Sequence, residues 1–262
     1  MIRAGVAGNP IGHSLSPLIH RAWIAAAGID GAYDPYEPED EASFRALVDI
    51  GRAGRLRGLN VTAPFKLEAL AAADEVSETA RRAGSANLLV FEDGRVRADS
   101  TDGLGLLAAL AEQAPSLRLA GRPAVVLGAG GAGRAAVAAL IDAGSEVHIV
   151  NRSRSKAEAL AAELGGVAMD ADAALDGAAL VVNALSAAPD IDLSRLPPGA
   201  VLMDMTYRPL ETPFLAAGRA RGLTGVDGLA MLIGQARPSF EALFGVAPPA
   251  VDVRALAMEA IR

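Results

Sequence analysis

Residues 123–153, PAVVLGAGGAGRAAVAALIDAGSEVHIVNRS, set the architecture of the chain. The apolar run Ala124 to Leu127 has no alternation and reads as a strand covered on both faces. Gly128, Gly130 and Gly133 follow in GxGxxG spacing. Arg134 to Ala143 then shows a helical pattern stopped by Gly144, and Glu146 to Val150 is a second strand. A unit of this kind holds a dinucleotide. Its glycines allow a tight turn, a close backbone approach to a pyrophosphate and close helix–strand packing. The phosphates rest on the free N–H groups at the helix N-terminus. Without the flanking strands and helix the same three glycines would say little.

The end of the second strand selects the cofactor. Versions that bind NAD place an Asp or Glu there for the ribose hydroxyls. Here the chain reads Asn151-Arg152-Ser153-Arg154-Ser155-Lys156, with no acid. A carboxylate would repel a ribose phosphate, whereas a guanidinium can clasp one through two parallel charge-assisted bonds. NADP is the cofactor expected; the competing reading makes these charges a solvated loop.

The bulk numbers narrow the rest. At 262 residues the chain suits two domains, and 52% hydrophobic residues supply a large core. A formal net charge of −7 without a basic block argues against nucleic acid and against an anionic membrane as partners. The lack of cysteine excludes disulfides, thiol catalysis and thiolate metal sites. No apolar run is long enough to cross a bilayer and the N-terminus has no secretory core, so a cytoplasmic enzyme acting on a small molecule is expected.

Strand and helix alternate from residue 1, which makes the first section α/β as well. Ile2 to Ala7 reads as a strand, and Leu18 to Ala27 as a helix with Ser16 as N-cap and Pro17 in its first turn. Further elements are a strand Tyr33 to Tyr36, a helix Glu41 to Ile50 stopped near Gly51, and a strand Leu56 to Val61. A short helix capped by Ser77 and a hairpin turning at Asp93-Gly94 complete this section. A helix from Gly103 to about Gln113 crosses to the second domain. Beyond the dinucleotide unit lie a helix from Lys156 to Leu164, strands at Ala179 to Asn183, Ala200 to Met205 and Thr224 to Val226, and a helix Thr212 to Arg221. Gly228 to Phe244 and Val251 to Ile261 are the last helices.

Binding NADP implies hydride transfer, and oxidation of an alcohol also needs a group that takes the hydroxyl proton. No Tyr is followed four residues later by Lys, which removes the short-chain dehydrogenase base. Three scattered histidines (His13, His20, His148) and no cysteine make no zinc site, so no metal is expected. His148 alternates within a strand and reads as structural, His20 as a packing or capping residue, and His13 stays open. All but two of the 24 basic residues are Arg, the exceptions being Lys66 and Lys156. Arg does not carry protons, whereas a lysine ammonium can give and take one. Lys66, after the strand end Asn60-Val61-Thr62, is therefore a candidate acid–base group; the alternative is a surface lysine that starts a helix. Asp102 is a candidate partner or a plain helix N-cap.

Several motifs resemble the shikimate dehydrogenase family along nearly the whole chain. They are Gly8 to Pro17, Asn60 to Lys66, Thr101-Asp102, Gly128 to Ala132, Asn151 to Ser153, Asp204 with Tyr207, and Gly228-Leu229-Ala230-Met231-Leu232-Ile233-Gly234-Gln235. The resemblance implies reversible NADPH-dependent reduction of 3-dehydroshikimate to shikimate in aromatic amino-acid biosynthesis. It implies a substrate-binding and catalytic domain over 1–102, joined again by residues from about 237 to 262, and a doubly wound NADP-binding Rossmann domain over 103–236. The substrate is expected in the cleft between them, in a monomer or homodimer.

Carried over by position, the resemblance makes Lys66 the acid–base residue and Asp102 its partner. It gives Ser14, Ser16, Thr62, Asn87, Tyr207 and Gln235 to the substrate. A polyhydroxylated acid needs such directional hydrogen bonds. Gly128, Ala129, Gly130, Gly131 and Ala132 would hold the pyrophosphate, and Asn151, Arg152, Ser153 and Lys156 the ribose phosphate. Met205 and Gly228 would lie against the nicotinamide. The chain departs from the family pattern at Leu88 and Leu185, where the family has Thr, and at Ser100, where it has Asn. These departures keep quinate or a related cyclic hydroxy acid open as substrate. A non-catalytic NADP sensor would keep the glycine loop and Arg152 without needing Lys66.

Overall fold

Alternating apolar strands and amphipathic helices fold here into two α/β units. A computed structural model describes residues 1–261; one unit comprises Met1–Thr101 with the residues from Gln235 onward, the other Asp102–Gly234. Among the described residues no helix is long and apolar enough to cross a membrane.

In the first unit β1 (Ile2–Ala7), α1 (Ser16–Ala26), β2 (Gly31–Tyr36), α2 (Glu41–Arg52) and β3 (Gly58–Val61) run in order. They are followed by α3 (Lys66–Ala71), β4 (Glu75–Val76), α4 (Glu78–Ala83), β5 (Leu88–Glu92) and β6 (Arg95–Asp99). The strands form one sheet in the order β2-β1-β3-β5-β6-β4. β1 pairs parallel with β2 and β3, while β5 runs antiparallel to both β3 and β6. The β5–β6 hairpin turns at Asp93-Gly94 as its sequence indicates, with both residues at positive φ, the geometry that suits the twist of paired strands. Phe44, Leu47, Val48, Leu59, Phe65, Leu89 and Phe91 fill one face of the sheet.

Three local expectations need correction. Ser16 lies inside α1 rather than capping it; the Ser14 Oγ accepts the Ser16 N–H instead, at 3.3 Å. Gly51 does not stop α2. It stays in the helix because the Phe91 ring packs onto its Cα, so that a Cβ would stand 2.3 Å from that ring. α5 starts at Asp102, not Gly103, which places the carboxylate in the first helical turn, where the helix dipole favours a negative charge. Ser77 does cap α4, accepting the Ala80 N–H at 3.1 Å.

The second unit begins with α5 (Asp102–Gln113), β7 (Pro123–Leu127), α6 (Gly131–Asp142), β8 (Glu146–Val150) and α7 (Arg154–Leu164). It continues through β9 (Val167–Ala168), α8 (Ala171–Leu175), β10 (Leu180–Asn183), β11 (Val201–Asp204), α9 (Pro213–Ala220) and β12 (Thr224–Val226). All six strands are parallel, in the order β12-β11-β10-β7-β8-β9, the doubly wound arrangement with its reversal at β7. Burial on both faces explains the lack of alternation in β7, β10 and β11, whose residues from Ala124, Leu180 and Val201 on are buried. The two short elements β9 and α8 carry too few residues to show a period and leave no signature in the sequence.

α10 (Gly228–Phe244) is shared: residues to Gly234 belong to the second unit and those from Gln235 to the first. α11 (Val253–Ile261) packs against α1 within the first unit. His20 is settled as a packing residue there. It is buried, stacked on Tyr33 with ring centroids 4.0 Å apart, and edge-on to Trp23.

Candidate functional site

In the second unit the strand–loop–helix geometry puts backbone, not side chains, at the head of α6. Gly128 has φ +112°, a region that other residues avoid, and directs the chain sharply off β7. Gly133 packs so closely that a Cβ there would lie 2.1 Å from the Gly128 carbonyl oxygen. A Cβ at Gly130 or Gly131 would meet nothing within 4 Å, so the loop presents open backbone. Gly130 is the N-cap and offers no side-chain cap, which leaves the first N–H groups of α6 to a ligand or solvent. Ala129 N–H donates to Asn151 Oδ1 at 3.2 Å, tying the loop to the end of β8. The arrangement fits a dinucleotide pyrophosphate.

Beside this loop a cleft of about 430 Å³ is lined by Asn151, Arg152, Leu185, Ala187, Pro189 and Ile191, among others. Arg152 and Lys156 are exposed, and none of the ion pairs among the described residues uses Arg152. Its neighbour Arg154 is committed elsewhere, to Glu158 and to Asp170. Ser153 is the N-cap of α7, and the Asn151 amide donates to the Ser153 carbonyl at 2.9 Å. Leu185 stands against Gly128 and supplies apolar surface where the related pattern has a hydroxyl.

Met205 and Tyr207, both half-buried, follow β11. Gly228 belongs beside Met205 because its Cα abuts that stretch; a Cβ would lie 2.7 Å from the Met205 carbonyl oxygen. The segment is pinned by Asp204, which is 1% exposed. One Asp204 oxygen accepts the Thr206 N–H at 2.9 Å, and the other accepts from Asn183 at 3.1 Å and Thr212 at 2.8 Å. No local pattern singles out Asn183 or Thr212 for this task, since a polar residue at a strand end or a helix N-cap is common. Asp102, buried at the start of α5, also belongs to this unit.

The first unit builds its polar surface from side chains. Ser14 and Ser16 sit together at the start of α1, half-buried, with Thr62 after the end of β3. The half-buried Lys66 opens α3, and its carbonyl accepts the Ala86 N–H at 3.0 Å, which places it next to the β5 entry residue Asn87. Asn87 is 5% exposed and bonds to Gln235 on α10, its Nδ2 donating to Gln235 Oε1 at 3.1 Å.

Behind these two amides lies a buried polar chain that the sequence reading did not find. The Tyr33 hydroxyl donates to Asn60 Oδ1 at 2.8 Å, and Asn60 Nδ2 donates to the Asn87 carbonyl at 3.1 Å and to Ser239 Oγ at 2.9 Å. The Thr101 N–H donates to Asn87 Oδ1 at 2.8 Å, and the hydroxyls of Thr101 and Ser239 are 3.3 Å apart. A serine four residues beyond Gln235 on an apolar helix was the one available signal. Of the departing positions, Leu88 is buried beside Asn87. Ser100 is also buried, and its hydroxyl has no partner among the described residues.

Burial pushes the His20 imidazole from its usual 6.5 down to about 3 and raises the stacked Tyr33 phenol well above its ordinary range. Both stay neutral near pH 7, so Tyr33 serves the polar chain as a hydroxyl donor.

Comparisons with known proteins agree with this layout. A family model described as the shikimate dehydrogenase substrate binding domain matches residues 6–89, and one described as shikimate / quinate 5-dehydrogenase matches residues 109–191. The chain is 52% identical to shikimate dehydrogenase (NADP(+)) of Caulobacter vibrioides, over 98% of this chain and 95% of that one. It is 47% identical to the protein of the same name from Rhodospirillum rubrum, over 95% and 94%. Among solved structures, shikimate 5-dehydrogenase from Thermus thermophilus, in complex with NADP(H) and shikimate, superposes with a TM-score of 0.91. It is 38% identical, with 99% of this chain and 100% of that chain covered.

Proposed function

The chain belongs to the shikimate dehydrogenase family, and on that basis we propose that it reduces 3-dehydroshikimate reversibly to shikimate with NADPH, as a cytoplasmic monomer or homodimer. The observation that carries the reading is the agreement of a built dinucleotide loop with full-length relatives that are NADP-dependent shikimate dehydrogenases. NADPH, when bound, supplies the hydride.

The chain's own residues do the remainder. Residues 1–102, with those from about 237 to 262, hold most of the substrate, and residues 103–236 hold NADP and lend Tyr207 and Gln235 to the acid. Lys66 delivers the proton to the carbonyl oxygen in reduction and removes it from the hydroxyl in oxidation, and Asp102 orients that hydroxyl. Ser14, Ser16, Thr62, Asn87, Tyr207 and Gln235 bind the acid's carboxylate and remaining hydroxyls. A buried donor or acceptor left unpaired by an analogue would count against that analogue. The backbone from Gly128 to Ala132 holds the pyrophosphate. Arg152 clasps the ribose phosphate, assisted by Asn151, Ser153 and Lys156, and Met205 and Gly228 flank the nicotinamide.

The test is to supply purified protein with NADP and shikimate, then quinate, and follow the absorbance of the reduced nicotinamide. Turnover of shikimate well above quinate is expected. A preference for quinate would favour the second reading, which the buried Leu88 and the unpartnered Ser100 hydroxyl support, and no turnover of either would remove the assignment.

A further inference from the structure

Two of the buried amides are fixed in direction by backbone groups that cannot reverse. The Thr101 N–H can only donate, so the atom it meets at 2.8 Å on Asn87 must be Oδ1. The Asn87 carbonyl can only accept, so the atom of Asn60 that meets it at 3.1 Å must be Nδ2. Once Asn87 is set, its amide hydrogens face Thr101 Oγ1 at 3.0 Å and Gln235 at 3.1 Å, and Gln235 must answer with Oε1. The Ser239 hydroxyl closes the back of this chain. It donates to the Gln235 carbonyl at 3.0 Å, accepts from Asn60 at 2.9 Å and is fully buried.

We propose that this chain is a positioning device in which Ser239 and Thr101, through Asn60 and Asn87, hold Gln235 with its Oε1 turned to Asn87, so that it presents its N–H groups to the substrate. Gln235 then selects a ligand oxygen that accepts a hydrogen bond. Neither Ser239 nor Thr101 need touch the substrate. The inference rests on the reading that Asn87 and Gln235 bind the acid, and it adds the polarity of that contact and the residues that enforce it.

The test compares shikimate KM, kcat and NADP affinity in four variants of the full chain, with thermal unfolding as a fold control. Gln235→Ala is expected to raise KM about tenfold or more with NADP affinity unchanged, the loss of a hydrogen bond to a polar substrate. Gln235→Glu keeps an acceptor toward Asn87 but has no N–H to offer, and should lose as much as Gln235→Ala. Ser239→Ala should raise KM several-fold at near-normal kcat. Adding Ser239→Ala to Gln235→Ala should then cost little more, because two members of one chain do not act additively.

If Gln235→Glu keeps wild-type KM, the assigned polarity is wrong. If Ser239→Ala leaves KM unchanged, or its effect adds in full to that of Gln235→Ala, Ser239 is merely structural. If Gln235→Ala itself leaves KM unchanged, Gln235 does not bind the substrate, and the positioning role falls with that contact.

Discussion

Around the end of β3 and the start of β5 the first unit presents amides, hydroxyls and an ammonium, and its amides Asn60, Asn87 and Gln235 are held by other side chains. At the end of β7 the second unit presents bare glycine backbone. The difference follows from the two ligands proposed for them. A pyrophosphate is a compact anion that any cluster of N–H groups can hold, so close approach matters more than side-chain identity. A ring with several hydroxyls asks for donors and acceptors in a particular order, which only side chains can supply. The cores differ in the same way. The second unit's main core is aliphatic, whereas the first packs His20 and Trp23 against Phe240, with Tyr33 stacked on His20.

This contrast is most exposed at Gly133. Gly133→Ala would drive a Cβ to 2.1 Å from a carbonyl oxygen, so the loop must move. We expect loss of NADP binding, measured by fluorescence titration, and destabilisation of about 2 kcal/mol or more in urea. Gly131→Ala, which adds its Cβ in open space, should leave the fold within about 0.5 kcal/mol of wild type. Equal effects at the two glycines would contradict the claim that backbone approach builds this half.

Arg152→Ala comes next. A bidentate contact to a phosphate is worth about 2 kcal/mol, so NADP affinity should fall about thirtyfold while NAD affinity changes little. Loss of both cofactors alike would transfer Arg152 to another role.

The smallest effect separates the cores by pH. His20 is neutral in the fold because its value is depressed to about 3, while in the unfolded chain it protonates near 6.5. The unfolded state therefore binds the extra proton on acidification. The His20 contribution is complete above pH 6.5 and is lost as pH falls toward 3, by up to about 1.4 kcal/mol per pH unit. Urea unfolding of wild type and His20→Phe at pH 7 and pH 5 should show a steeper loss in wild type. Parallel losses would mean that burial of this imidazole is not what makes the first unit acid-sensitive.

What could be read from the sequence follows the same division. The dinucleotide loop was legible because its chemistry resides in consecutive residues, and β8 and β12 begin and end where their patterns do. The hairpin was legible because Asp93-Gly94 is a local turn signal. The Asn60–Ser239 bond joins positions 179 residues apart, and no local pattern announces it. Gly51 misled because a glycine ends a helix only if nothing requires its lack of a side chain, and here the Phe91 ring does. Ser16 misled for a different reason: the helix begins one residue earlier than its pattern suggests, with Leu15 as N-cap and no side-chain cap, so Ser16 is already inside it.

The proposed reaction turns on Lys66, since the proton must reach the carbonyl oxygen from the first unit's own side chain. The decisive experiment follows the turnover of Lys66→Ala with shikimate and NADP, together with the dissociation constants of both ligands. A fall in kcat of about a hundredfold or more, with both ligands still bound within a few-fold of wild type, is the expected result. Turnover within a few-fold of wild type would contradict the assignment of Lys66 as the proton carrier.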